Sequence, residues 1–222
     1  MNNIYIYVII FVLSLLSIGT TALLAKKRRK DMEIASKHIG FSYAKVSDQD
    51  ILSSVKGFNL CCRGHSAKAY NIMEGKRGFI EWTVFDYSYS YGGNRTATTN
   101  SQTVAYTQSV GFNLPEFLLK PKKHFDTFRD ILCLRDVCLD SHPDFSKKYI
   151  LKGLYKEKVR KLFNPQIIHY LENKKDRIYV EANGSKIIIY KHNNKLKPQQ
   201  IHAFLIEASK IVNLLQKSAR KL

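Results

Sequence analysis

The sequence contains few of the residues and motifs that mark several common protein classes. Only 4 cysteines occur among 222 residues, which argues against the dense disulfide framework of small secreted domains. Cys61 and Cys62 are adjacent, and Cys133 and Cys138 lack C-x2-C spacing, so a zinc site is only a minor alternative to small buried thiols. Phosphate-binding glycine loops with G-x-G-x-x-G or G-x-x-x-x-G-K-[ST] spacing are missing, which disfavours nucleotide hydrolysis. We therefore expect no cofactor.

The first 25 residues lack lysine, arginine, aspartate and glutamate, whereas the rest of the chain carries the whole net charge of +18. As a helix rising ~1.5 Å per residue, residues 4–25 would be roughly 33 Å long, enough to cross a hydrocarbon core of about 30 Å. This pattern predicts a transmembrane helix at residues 4–25, preceded by a short external N-terminus at residues 1–3.

Two alternatives explain this apolar stretch less well. A cleaved signal peptide needs a basic N-terminal region and small residues at the cleavage site, but Met1 is followed by two asparagines and the best site has Leu23. A buried core helix is rarely so uniformly apolar. An uncleaved anchor is favoured.

Five consecutive cations follow the apolar stretch: Lys26, Lys27, Arg28, Arg29 and Lys30. Basic residues on one flank of a span favour a cytoplasmic location for that flank. The pattern predicts a single-pass membrane protein with a cytoplasmic C-terminal domain. We expect these cations to contact anionic lipid headgroups, together with Lys217, Arg220 and Lys221 at the end of the chain. The competing explanation is that the excess charge only aids solubility.

Hydrophobic patterns in the rest of the chain predict an α+β domain. Residues 26–56 are expected to form a basic juxtamembrane helical segment, residues 57–113 an antiparallel sheet subdomain, and residues 114–222 an α+β subdomain. The sheet is expected to be mostly antiparallel, as one sheet or two packed sub-sheets. Apolar residues at 3-to-4 spacing after Pro198 predict an amphipathic helix that closes the core.

Individual elements follow from turn signals and periodicity. Strands are predicted at residues 57–62, 67–74, 79–91, 102–110, 117–121, 149–153, 177–181 and 186–190, and helices at residues 48–55, 124–132, 156–163 and 166–173. In the aromatic strand 79–91, Trp82 and Val84 share one face while Phe85, Tyr87 and Tyr89 share the other. This arrangement predicts either a bulge near residues 84–86 or a strand covered on both faces.

Several short motifs carry a resemblance to a known family. They are Phe85-Asp86-Tyr87-Ser88-Tyr89, Gln102-Thr103-Val104, Leu114-Pro115-Glu116-Phe117 with Pro121, His142-Pro143-Asp144-Phe145-Ser146 with Tyr149, Leu151 and Gly153, and Val159-Arg160-Lys161-Leu162-Phe163. In this order they resemble an uncharacterised family of bacterial proteins with one N-terminal span and a cytoplasmic α+β domain. The resemblance implies the same single-pass topology and a location in the bacterial inner membrane, but it supplies no mechanism. At Val137-Cys138-Leu139-Asp140 the chain departs from a more acidic family stretch, which weakens a metal or acid–base role there.

Candidate catalytic residues are few. Asp140, His142 and Asp144 form the richest ionisable cluster, suited to metal binding or to acid–base work in a membrane-tethered hydrolase. Aspartate, serine and proline in this order are also typical of a turn, which we favour. His65 and Ser66 are adjacent, but adjacency alone does not make an activated nucleophile.

The aromatic hairpin offers a candidate partner surface at Tyr87, Tyr89, Tyr91 and Arg95. Alternating tyrosines beside an arginine suit stacking of single-stranded nucleic acid. The same alternation is typical of core and cross-strand pairs, which makes a nucleic-acid partner the less favoured interpretation. The sequence thus predicts a non-enzymatic binding or scaffold module with lipid and an unknown protein as partners, and it leaves the oligomeric state open.

Overall fold

The computed structural model describes residues 2–43, 48–93, 97–122, 134–139 and 141–222. Helix α1 spans Asn2–His38 and is long and apolar enough to cross a membrane. Its apolar part does not pack on the domain, since Ile4 is 69% and Leu24 66% exposed. Met32 and Ser36 in its last third are fully buried. One helix therefore contributes both an exposed apolar segment and a part of the core.

The remaining elements alternate strands with short helices. The strands are β1 (Ser42–Tyr43), β2 (His65–Arg77), β3 (Ile80–Tyr91), β4 (Thr98–Gln108), β5 (Leu114–Pro121), β6 (Arg135–Asp136), β7 (Tyr149–Gly153), β8 (Tyr179–Gly184) and β9 (Lys186–Tyr190). The further helices are α2 (Asp48–Ser54), α3 (Pro143–Lys148), α4 (Lys156–Leu162), α5 (Pro165–Glu172) and α6 (Ile201–Ala219), with 3-10 turns at Asn59–Cys62 and Pro198–Gln200.

In the described part of the chain, nine strands form one sheet in the order β1-β2-β3-β4-β9-β8-β5-β7-β6. All neighbouring strands are antiparallel. This confirms the α+β class. The prediction of two packed sub-sheets is wrong for the described strands, because β9 pairs with β4, with Tyr190 opposite Val104, and so joins the strands of both predicted subdomains. The boundary between two subdomains at residue 113 stays a prediction, although both parts contribute strands to one sheet.

Strand β3 is covered on both faces, as one of the two sequence alternatives predicts. Trp82 and Val84 belong to the core cluster that contains α4, α5 and α6, whereas Phe85, Tyr87 and Tyr89 belong to the cluster under α2. Because alternate residues of a strand point to opposite faces, β3 itself needs no bulge. Two register shifts lie in the partner strand β2, one between His65 and Lys68 and one between Tyr70 and Met73.

Most other predicted elements are present with shifted ends. Asn164 caps α5 as predicted, since its side chain accepts a hydrogen bond from the Ile167 N–H at 3.1 Å. The strand predicted at residues 57–62 is wrong, because its N–H groups bind a buried carboxylate and the chain forms a 3-10 turn. The helix predicted at residues 124–132 lies outside the described residues.

Candidate functional site

The course of α1 along the sheet defines two ends of the domain. Arg28 of α1 contacts Asp86 in β3. Phe41, just after α1, packs on Gly75 in β2, where a Cβ added to the glycine would lie 2.3 Å from the Phe41 ring. Since Gly75 pairs with Trp82, α1 runs towards the β2–β3 turn. Its apolar part therefore leaves at the opposite end. That end is named anchor-proximal, and the end with the β2–β3 turn is named distal.

An ion pair between Arg28 and Asp86 joins α1 to the sheet. Arg28 Nε lies 2.7 Å from Asp86 Oδ2 and Arg28 Nη2 lies 2.8 Å from Oδ1, a bidentate geometry. Asp86 also accepts hydrogen bonds from Asn71 Nδ2 at 2.8 Å and Thr103 Oγ1 at 2.9 Å. Each carboxylate oxygen thus has two donors, as a fully buried charge requires.

The same arginine also holds the loop after β9, residues 191–197. Arg28 Nη1 donates to the Leu196 carbonyl at 3.0 Å, and the Leu196 N–H donates to Thr103 Oγ1 at 3.0 Å. Asn193 N–H donates to Gln102 Oε1 at 3.1 Å. Because Thr103 binds both Asp86 and Leu196, one network fixes α1, β3, β4 and this loop together. The direction of α1 relative to the sheet is therefore set by buried contacts.

The surface at the anchor-proximal end is strongly basic. The loops before β8 and after β9 lie side by side there, since Tyr179 stacks on Tyr190 with ring centroids 4.9 Å apart. Asp176 in these loops is already paired with Lys191 at 2.6 Å. The exposed cations at this end are Lys26, Lys27, Arg29 and Lys30 on α1, and Lys122, Lys175, Arg177, Lys195 and Lys197 around the sheet end. This arrangement attracts anions.

Two groups of predicted membrane-surface residues need correction. Arg28 is not a lipid-facing cation, because it is half-buried and paired with Asp86. Lys217, Arg220 and Lys221 lie near the end of α6, which starts beside the anchor-proximal loop and runs for 19 residues, about 28 Å, towards the distal end. They therefore lie away from the end at which the apolar part of α1 leaves.

The candidate partner surface on the hairpin also differs from the prediction. Tyr87 and Tyr89 are 0% and 1% exposed, and Tyr91 is half-buried. The tyrosines pack under α2 and the 3-10 turn because β3 is covered on both faces. They do not present a stacking platform for nucleic acid. Arg95 lies outside the described residues.

The catalytic alternative finds little support in the side chains that the structure describes. Asp144 is exposed and pairs with Lys147 at 2.9 Å, and this contact lowers the pKa of Asp144. His142 occupies the position before α3, and Asp140 lies outside the described residues. His65 Nδ1 lies 3.1 Å from Ser66 Oγ at an exposed strand end. Among the described residues, no group of three or more His, Cys, Asp or Glu is placed to hold a metal ion.

The described cysteines are not all buried, contrary to the prediction. Cys62 and Cys138 are exposed and Cys61 is partly buried, all as free thiols. Burial raises the pKa of Cys61, and partial desolvation together with the nearby Glu181 carboxylate raises the pKa of Cys62, so neither thiol is activated as a nucleophile.

A second buried carboxylate, Glu181 in β8, lies under the 3-10 turn. Its oxygens accept hydrogen bonds from the N–H groups of Asn59 at 2.5 Å and Leu60 at 3.1 Å, and from Tyr190 OH at 2.8 Å. Burial raises the pKa of Glu181 to about 7, against the lowering effect of Tyr190 and the charge of Arg63. Being 2% exposed, Glu181 cannot reach a substrate, so it caps the turn.

Sequence reasoning missed the roles of Asp86 and Glu181. A signal existed for Asp86, because a carboxylate between Phe85 and Tyr87 in an aromatic strand needs a buried partner. The sequence did not reveal the partner, since Arg28 is 58 residues away and lies among four other cations.

Comparisons with known proteins place the fold but not the family. No protein-family model matches the chain, and no curated protein matches it in sequence. The crystal structure of the mycobacterial trehalose monomycolate transport factor A, TtfA, is similar with a TM-score of 0.62 and 12% sequence identity. The likeness covers 88% of this chain and 96% of that one. At this identity, the comparison shows a shared fold.

Proposed function

We propose that the chain is a membrane-anchored, non-enzymatic binding module whose anchor-proximal end lies against anionic headgroups. The observation that carries this proposal is the ion pair of Arg28 with buried Asp86, only three residues after the apolar stretch. The pair ties the domain to α1 directly below the bilayer surface. A flexible linker would let the domain turn freely, whereas this contact holds one end of the sheet towards the lipid.

The charges at that end support contact with anionic lipid. A juxtamembrane lysine or arginine gains about 1 kcal/mol near an anionic leaflet, within a Debye length of roughly 10 Å. Lys26 and Lys27 lie at the end of the apolar stretch. Lys175 and Arg177 lie on the loop before β8 and Lys195 on the loop after β9, at the same end of the sheet. Several such contacts together would hold the face on the membrane.

The printed name of a protein that shares this fold agrees with a non-enzymatic role. The similar protein is named as a transport factor. We propose that this chain serves a membrane process by binding, as a member of the family of anchored bacterial proteins that its motifs resemble.

Vesicle cosedimentation of residues 26–222 tests the lipid contact. This fragment keeps Arg28 and all later contacts, and it lacks a segment that is exposed in the full chain. We expect it to bind vesicles containing phosphatidylglycerol and not vesicles of phosphatidylcholine alone. The K175E/R177E/K195E variant should bind about 100-fold more weakly, from about 1 kcal/mol per cation.

A matched variant provides the control for this experiment. K158E/K161E/R220E changes the net charge equally, but its residues line clefts at the distal end. It should retain most of the binding. Equal losses in the two variants would mean that net charge alone drives binding, and the proposed face would be wrong.

We also propose that the domain lies in the cytoplasm of the bacterial cell, with the N-terminus outside, since Lys26 and Lys27 flank the span on the domain side. Cys138 is an exposed natural reporter of this orientation. A membrane-impermeant maleimide should label it only after the inner membrane is permeabilised. Labelling in sealed spheroplasts would reverse the orientation.

A further inference from the structure

The distal end exposes two large apolar side chains. Phe79 and Val110 have relative exposures of 108% and 103%, so nothing in the described part of the molecule covers them. Phe79 lies in the β2–β3 turn and Val110 lies in the turn after β4. Because Thr83 of β3 pairs with Tyr106 of β4, the two turns are neighbours. Together they form an apolar tip.

A positively charged groove of about 680 Å³ adjoins this tip. Besides Phe79 and Val110, its lining includes Arg77, Arg220 and Lys76 as cations. Glu81, an acidic residue of the lining, pairs with Lys76 at 2.8 Å. The groove therefore joins two exposed apolar side chains to an excess of positive charge.

Charge and position indicate which kind of partner fits. A second copy of the chain would bring the same cationic groove and a net charge of +18, so repulsion opposes self-association. Lipid is also a poor fit, because α1 leaves the domain at the other end of the sheet. The 12 residues of β3 alone span about 40 Å.

We propose that the tip and groove bind an acidic segment of another protein that presents an apolar side chain between its carboxylates. The apolar side chain would cover Phe79 and Val110, and the flanking carboxylates would pair with Arg77 and Arg220. This inference rests on the proposed function in one respect, namely that the anchor-proximal end lies on the membrane and the tip is therefore distant from lipid.

Defined peptides test the proposal with the full chain in phosphatidylcholine nanodiscs. Three fluorescent peptides of equal length are compared: an acidic one with a central phenylalanine, an acidic one with a central serine, and a lysine-rich one with a central phenylalanine. We expect the first to bind at least about tenfold more tightly than either of the others in fluorescence anisotropy. The F79S/V110S and R77E/R220E variants should each lose about tenfold or more.

Controls separate this surface from general stickiness and charge. Ile206→Ser removes an apolar side chain that is 46% exposed on α6, and Lys195→Glu removes a cation at the anchor-proximal end. Neither should change the affinity. Equal binding of the lysine-rich peptide, or unchanged binding by the F79S/V110S variant, would overturn the proposal.

Two further results would assign the tip to another partner and would likewise overturn the proposal. One is dimerisation of the wild type that F79S/V110S abolishes. The other is loss of binding to phosphatidylglycerol vesicles in that variant. Because the nanodiscs are neutral, failure of the peptide experiment does not depend on the lipid contact of the anchor-proximal end.

Discussion

The two ends of the sheet expose different chemistry. The anchor-proximal end exposes lysine and arginine around a buried ion pair, whereas the distal end exposes Phe79 and Val110 beside a positive groove. Both ends are basic, so the net charge of the chain does not distinguish them. The two ends also differ in their position relative to α1, because its apolar segment leaves at one end only.

This comparison shows that the fixed position of α1 distinguishes two ends of the domain that are both positively charged. Arg28 forms an ion pair with Asp86, whereas its neighbours Lys26 and Lys27 stay exposed. The ion pair orients the domain, and the exposed cations are the groups that meet the lipid under the proposed function. The tip is then carried away from the membrane, where a protein partner can reach it.

The largest effect on stability is expected at Asp86, where the sheet is joined to α1. Asp86→Ala leaves the half-buried Arg28 without its carboxylate and removes acceptors for Asn71 and Thr103. We expect a loss of about 4 kcal/mol in the free energy of unfolding, measured by urea denaturation of residues 26–222.

An exposed ion pair gives the matched control for Asp86→Ala. Asp136, which is 67% exposed, pairs with Lys152 at 3.1 Å. Asp136→Ala should cost less than about 1 kcal/mol. If the two variants lost similar amounts, the ion pair of Arg28 with Asp86 would not be what fixes α1.

A smaller effect, which depends on pH, is expected at Glu181. Its pKa is raised from 4.5 to about 7 in the folded protein. The folded state therefore binds more protons than the unfolded state between these values, so stability falls as pH rises from about 4.5 to 7. The contribution is about 3 kcal/mol across this range.

Comparison with Glu181→Gln isolates that contribution. The glutamine variant differs from the wild type in stability by an amount that does not depend on pH, because glutamine does not titrate. Its free energy of unfolding, measured by urea denaturation, should therefore lack the decrease between about pH 4.5 and 7 that Glu181 causes. A slope identical to that of the wild type would show that Glu181 keeps an ordinary pKa despite its burial.

The smallest effect on stability is expected at the distal tip. Phe79→Ser removes a ring that contacts solvent, so the free energy of unfolding should change by no more than about 0.5 kcal/mol. Thermal or urea denaturation measures it. A loss above about 2 kcal/mol would mean that Phe79 packs on the domain, and the tip would not be a free surface.

Elements governed by local chemistry could be predicted from the sequence. The apolar part of α1, the Asn164 cap of α5 and the amphipathic α6 depend on neighbouring residues. Both faces of β3 could also be assigned, because Trp82 and Phe85 differ in parity along the strand.

Contacts between distant residues could not be predicted. The predicted strand at residues 57–62 is a 3-10 turn because Glu181, more than 100 residues later, binds its N–H groups. The alternation of the tyrosines favours core or cross-strand positions but leaves Tyr87 and Tyr89 as candidates for a surface, and the covering α2 and 3-10 turn show that they are core. Arg28 likewise could not be separated from its four cationic neighbours without knowing the position of Asp86.

Depth measurement on the full chain tests the central claim most directly. Spin labels are attached at Asn194→Cys in the anchor-proximal loop or at Val110→Cys in the distal tip, with the four native cysteines replaced by serine. The protein is placed in anionic nanodiscs that contain a nickel-chelating lipid, and relaxation of each label by the nickel is recorded. We predict strong relaxation at residue 194 and little at residue 110. Equal relaxation at the two sites, or stronger relaxation at residue 110, would contradict a domain held by α1 with its basic end on the membrane.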